Sequence, residues 1–96
     1  MPEEINKNLF ILRIRELIAE SLGVEPKWVD DDESLSNMGF DSLDIAELSI
    51  KIEMKFGLYD ADPHYWLEKH DTVNTTATKL EKLYHDHRRK YPLGDS

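Results

Sequence analysis

The sequence predicts an all-α fold, a four-helix bundle with a long first loop and a short third helix, and three observations carry the expectation. Apolar residues recur at spacings of three and four over most of the chain, the spacing that gathers side chains on one face of a helix. Each such stretch ends at a helix-stopping Gly or Pro: Gly23 with Pro26, Gly57, and Pro92 with Gly94. The composition, 40% apolar and 33% charged over 96 residues, suits one modest core wrapped in a charged surface. One domain spanning residues 1–96 is expected, with its core at about residues 8–90 and flexible segments at both ends.

The first helix is read over residues 5–22, frayed before Asn8, with Leu9, Ile11, Leu12, Ile14, Leu17, Ile18 and Leu22 at helical spacing. A long connection follows, over residues 23–41. So long a loop needs anchors, and Trp28, Val29, Leu35 and Met38 are read as pegs that pin it to the bundle, while Asp30, Asp31, Asp32 and Glu33 face water. Asp41 then has the side chain to cap free backbone N–H groups, and Asp44 adds negative charge in the first turn, so Ser42 opens the second helix. That helix runs to about Phe56. An irregular stretch holding a short helical piece near residues 63–69 leads to a last helix from about Val73, with Ala77, Leu80, Leu83 and Tyr84 on one face. It closes in the basic run His87, Arg88, Arg89, Lys90, which suits a helix C-terminus.

Charge narrows the function classes. Twenty acidic against twelve basic side chains leave a formal charge of −8, which repels nucleic acid and anionic membrane and attracts proteins rich in Lys and Arg. No stretch has the length of a membrane span and the first eight residues are too polar for a secretory signal, so a cytoplasmic monomer is expected. On that footing the Asn74-Thr75-Thr76 triplet is read as a helix start and not as a glycosylation acceptor. The chain has no cysteine; any thiol chemistry must be borrowed.

Ser42 sits where orphan N–H groups and the positive end of the helix dipole favour an attached anion. Its neighbours supply carboxylates but no histidine, and Gly-x-Ser-x-Gly is absent, so it is a poor catalytic nucleophile and a good acceptor of a phosphate-linked group. No catalytic residue is expected. The second helix also carries more apolar residues than one buried stripe needs. Leu48, Ile52 and Phe56, with Ile45 at the edge, feed the core, whereas Leu43, Ala46, Ile50 and Met54 form a second stripe beside Glu47 and Glu53, read as a docking surface ahead of the alternative, a stripe buried beneath the long loop that carries Trp28 and Met38. Asp30 to Glu33 lack the spacing, glycine and closing glutamate of a calcium loop, and His85 and His87 diverge on a helix, so no metal site is expected. Tyr65 and Trp66 are read as core ahead of the alternative, a cargo entrance.

The run Leu35-Ser36-Asn37-Met38-Gly39-Phe40-Asp41-Ser42-Leu43-Asp44-Ile45-Ala46-Glu47-Leu48 resembles the modification site of acyl carrier proteins. Leu17-Ile18-Ala19-Glu20 through Leu22-Gly23-Val24 is similar to the end of that family's first helix, and Asp71-Thr72-Val73 to the start of its last, so the resemblance covers about residues 10–84. It implies that Ser42 bears covalent 4′-phosphopantetheine, with Asp41 and Leu43 flanking it for a phosphopantetheinyl transferase. It further implies that Leu43, Asp44, Ala46, Glu47, Ile50, Glu53 and Met54 meet partner enzymes: acyl-loading ligases, synthases or acyltransferases with basic docking surfaces. Acyl groups would ride as thioesters in fatty-acid, lipid or polyketide-type biosynthesis, and the chain would catalyse nothing. Cargo folded back between the helices would gain about 0.8 kcal/mol per buried methylene.

Lys51, Met54 and Lys55 depart from the alanines or acids common in fatty-acid carriers, and His64-Tyr65-Trp66-Leu67 is bulkier than the family's short third helix, so a specialised carrier is also implied. Two other classes are weighed against this. One is an unmodified helical adaptor that binds partners through its second helix; the other is a hydrolase, disfavoured by the missing base.

Overall fold

Asn6 opens the first helix in the computed structural model, which describes residues 6–58 and 66–90. Its side chain accepts the Leu9 N–H at 3.2 Å, and α1 spans Lys7–Leu22. Gly23, at φ 72°, ends it: the left-handed turn lets the Val24 N–H reach back to the Ala19 carbonyl at 3.0 Å. The buried side of α1 is Phe10, Ile14, Ile18 and Ala19. α2 spans Ser42–Lys55 and α3 spans Val73–Lys90, and among the described residues there is no strand. None of the described helices is long and apolar enough to cross a membrane.

α1 lies against both other helices, and its Phe10 joins them at one end of the bundle. The Phe10 ring stands 5.1 Å from Phe56 and 5.5 Å from Tyr84, centroid to centroid, with tilted and edge-on geometries that suit aromatic quadrupoles. Ile45, Leu48 and Ile52 of α2, Val73, Ala77 and Leu80 of α3, and the loop residues Val29, Leu35 and Phe40 complete the core.

The long loop departs from expectation in two places. Val29 and Leu35 are buried and Met38 is half-buried, as anchors should be, but Trp28 is 72% exposed. A 3₁₀ turn over Pro26–Trp28 swings the indole away from the core, with the Lys27 ammonium 5.9 Å from the ring centroid. Nor do all the loop acids face water. Asp31 accepts from the Arg15 guanidinium, with a 3.0 Å bond from Nε, and Asp32 accepts from the Asn74 amide at 2.7 Å. Together with backbone bonds from Leu35 N–H to the Asp71 carbonyl (2.9 Å) and Ser36 N–H to the Lys69 carbonyl (3.0 Å), these polar ties do the pinning expected of Trp28. The hydrogen bond and charge of Asp31 also hold the Arg15 pKa above its ordinary value, against the effect of burial.

The short helix expected near residues 63–69 lies partly outside the described residues. Its described part is not helical: Trp66, Leu67 and Glu68 run without regular structure into a turn at Lys69 and His70. Their backbone is engaged elsewhere. The Trp66 carbonyl accepts from the Lys79 ammonium at 3.0 Å, the Glu68 N–H donates to the Asp71 carboxylate at 2.8 Å, and the Lys69 carbonyl serves the loop.

Candidate modification site and docking face

Ser42 is presented by a tight turn. Gly39 sits at φ 103°, where a side chain would be strained, and the Gly39 and Phe40 N–H groups return to the Ser36 and Leu35 carbonyls at 3.0 and 3.1 Å. Phe40 is buried and locks the turn to the core. The chain then enters α2 through a reciprocal capping box: Asp44 N–H donates to the Asp41 carboxylate at 2.8 Å, and Asp41 N–H to the Asp44 carboxylate at 3.1 Å. The Asp44 N–H, aided by the Asp44 side chain, the Leu43 N–H and the charge of Lys69, holds the Asp41 pKa below the ordinary carboxylate value despite some desolvation. Asp41 is therefore an anion that caps the helix and no reservoir of protons. Ser42 itself is exposed, and its hydroxyl makes no hydrogen bond among the described residues. A serine whose hydroxyl meets no base among the described residues is not held for attack by them, but it is accessible to an enzyme that modifies it.

α2 divides into four sides at 100° per residue. Ile45, Leu48, Ser49 and Ile52 face the core. On the opposite side Leu43 is 67%, Ile50 55% and Met54 59% exposed, with exposed Ala46 between them, so the second apolar stripe is an outer crest. One flank borders a groove of about 200 Å³ that begins at Ser42 and is lined by Ile45, Ala46, Ser49, Leu67, Glu68 and Lys69. The other borders a second groove, about 290 Å³, between Asp44, Glu47 and Lys51 and the far wall of Ser21, Leu22, Gly39 and Phe40.

Among the residues expected to meet partners, Leu43, Ala46, Glu47, Ile50 and Met54 are exposed. Asp44 and Glu53 are half-buried and already engaged, Asp44 in the capping box and Glu53 as acceptor of the Trp66 indole N–H at 2.9 Å. That bond stands one turn beyond Ser49, where the Ser42 groove ends. Trp66 packs half-buried against the core; Tyr65 lies outside the described residues.

The groove wall formed by Leu67 and Lys69 was not legible as part of the site, because no sequence signal pairs residues 67–69 with residue 42. What holds it is Asp71. Only 1% exposed, its carboxylate accepts from the Lys79 ammonium (2.8 Å), the Glu68 N–H (2.8 Å) and the Thr75 hydroxyl (2.9 Å). Burial alone would push its pKa up, but the Lys79 hydrogen bond, with those from Glu68 and Thr75, outweighs burial and leaves it below the ordinary value. Glu68, His70 and Asp71 bring potential ligand atoms within 4.8 Å of one another, but Lys79, 3.5 Å from Glu68 and 2.8 Å from Asp71, already supplies the cation.

The sequence pattern of the family described as "Phosphopantetheine attachment site" matches residues 12–80. The chain is 38% identical over 71 residues to an acyl carrier protein of Zymomonas mobilis subsp. mobilis, covering 73% of this chain and 88% of that protein. It is 39% identical over 71 residues to an acyl carrier protein of Bdellovibrio bacteriovorus, with the same coverage. To an acyl carrier protein of Thermotoga maritima it is 36% identical over 73 residues, covering 73% of this chain and 85% of that protein. No solved structure gives a significant match.

Proposed function

The chain belongs to the phosphopantetheine-attachment family and is an acyl carrier protein, and from that premise we propose that Ser42 is the residue that bears the prosthetic group and that the outer crest of α2 is where partner enzymes dock. The observation that carries the reading is the exposure of Ser42, its hydroxyl without a hydrogen-bond partner among the described residues, on the first turn of α2 at the mouth of a groove.

The residues present fit the group. The first turn of α2 has its dipole aimed at a phosphate on Ser42, and Lys69 on the groove rim supplies a nearby cation. Covalent 4′-phosphopantetheine supplies the thiol that the cysteine-free chain lacks, so that an acyl group is carried as a thioester. The protein's own contributions are mechanical and electrostatic. The Gly39 turn and the Asp41–Asp44 box hold Ser42 outward in one place, which a transferase must find. Leu43 stands next to it for the same enzyme. Ile45, Ala46 and Leu67 offer the groove an apolar lining on which tethered cargo can lie out of water. Leu43, Ala46, Ile50 and Met54 present an apolar patch, and Asp44, Glu47 and Glu53 set charge around it, a combination that favours rapid, modest-affinity docking with basic surfaces. Tethering raises the local concentration of cargo at whichever enzyme has docked. One carrier domain acting as a monomer meets these needs.

Incubation of the apo protein with coenzyme A and a phosphopantetheinyl transferase, followed by intact mass measurement, tests the assignment. One phosphopantetheine should be gained, and none by Ser42→Ala. No gain by the wild type would leave an unmodified adaptor; a gain retained in Ser42→Ala would move the attachment point elsewhere.

A further inference from the structure

The flank of α2 that borders the second groove carries Asp44, Glu47, Lys51 and Lys55, spaced three and four apart and therefore in one line along the helix. Its signs are segregated: acids on the two turns nearest Ser42, bases on the two turns farthest from it. From Asp44 to Lys55 the line is about 16 Å long, at 1.5 Å per residue. A plain explanation would be an intrahelical ion pair between Glu47 and Lys51, which stand four apart. The structure has none: among the described residues Glu47, Lys51 and Lys55 make no ion pair or hydrogen bond through their side chains, and all three are exposed. The apolar crest of Leu43, Ile50 and Met54 runs alongside.

We infer that this carrier selects partners by a two-signed docking face. Its partners are proteins that set basic side chains opposite Asp44 and Glu47 and an acidic side chain one to two helical turns farther from Ser42, opposite Lys51 and Lys55. The groove gives the selection depth. A partner's basic side chain entering it beside Leu22 and Phe40 meets Asp44 and Glu47, whereas one placed toward Lys51 is repelled. Basic surfaces still dock, drawn by the net charge of −8, but those basic throughout are disfavoured relative to ones that turn acidic opposite Lys51 and Lys55. The inference rests on the proposed function, in that it takes α2 as the docking helix, and it adds the identity of the complementary surface.

The test uses the full-length protein and, as probe, a phosphopantetheinyl transferase whose docking face is basic along its whole length. The double variant Lys51→Glu/Lys55→Glu makes the flank acidic throughout. Lys27→Glu/Lys82→Glu, at exposed positions off α2, changes net charge equally and serves as control. At low ionic strength the first variant should raise kcat/KM for loading by about tenfold and steepen its salt dependence, while the control stays within about twofold of the wild type. Equal effects in the two variants, or none in either, would overturn the inference, since only net charge would then matter. An antiparallel second copy could also satisfy a two-signed face. Sedimentation settles that: a single-chain species agrees with the inference, and a dimer that dissociates in Lys51→Glu/Lys55→Glu overturns it in favour of self-association. Absence of any mass gain in the wild type would instead bring down the attachment reading beneath it.

Discussion

Replacing Lys79 by methionine removes the cation that holds the buried Asp71 carboxylate, and with it one of the ties between α3 and the segment that walls the Ser42 groove. The magnitude follows from what remains. Removing one partner of a buried pair costs about 3–5 kcal/mol when the other charge is left uncompensated. Here Asp71 keeps two hydrogen bonds, from the Glu68 N–H and the Thr75 hydroxyl, and the 35% exposure of the Lys79 side chain gives water a route to the vacated position. About 2–3 kcal/mol is therefore expected, or a fall in Tm of about 10–20 °C for a domain of this size. Urea and thermal unfolding followed by circular dichroism measure it, and a cycle with Asp71→Asn isolates the coupling, expected to exceed about 1 kcal/mol. The pH dependence has a definite sign. Because the folded-state pKa of Asp71 is depressed, the pair's contribution is present in full above the unfolded value of about 3.9 and is lost as pH falls through the lower folded value. The wild type should therefore lose stability across that acid window more steeply than Lys79→Met. A cost under about 1 kcal/mol, or identical acid profiles, would show that the carboxylate does not depend on this lysine.

Three other substitutions or modifications probe different parts of the structure. Gly39→Ala meets no neighbouring atom, so its cost is the backbone's alone, about 1–3 kcal/mol for a side chain at φ 103°, read from urea unfolding; a neutral result would mean that the turn before Ser42 relaxes freely. Trp28→Ala should change stability by no more than about 0.5 kcal/mol, because the indole is largely in water, whereas Phe10→Ala should cost about 3–5 kcal/mol at the centre of the aromatic cluster. Loading an eight-carbon acyl chain should raise Tm by about 10–20 °C if half of each methylene is covered in the Ser42 groove, at about 0.4 kcal/mol apiece. An acylated form that melts no higher than the phosphopantetheine form alone would exclude the groove as a resting place for cargo.

What the sequence determined by itself is local in reach. Gly23 ends α1, Asp41 and Asp44 open α2, and Gly57 follows its last turn, because capping and left-handed turns are decided by residues within about four positions of one another. The stripe of Leu43, Ala46, Ile50 and Met54 was legible for the same reason, since helical periodicity separates it from Leu48 and Ile52 before any partner helix is known; that the long loop leaves it uncovered was not.

Tertiary structure decided the rest. Trp28 reads as an anchor by its apolar area, yet a three-residue turn aims it outward, and Asp31 reads as a solvated acid until Arg15 arrives from α1. Asp71 reads only as the entry to the last helix; the packing of α3 against the segment before it brings Lys79 and Thr75 within reach and lets the charge be buried. The wall of the Ser42 groove is held in place in part by that network, together with the Ser36–Lys69 backbone bond and the Trp66–Glu53 bond. Polar contacts between distant segments depend on where the helices carry each side chain, and a charged or polar residue gives no periodic sign of the partner that awaits it.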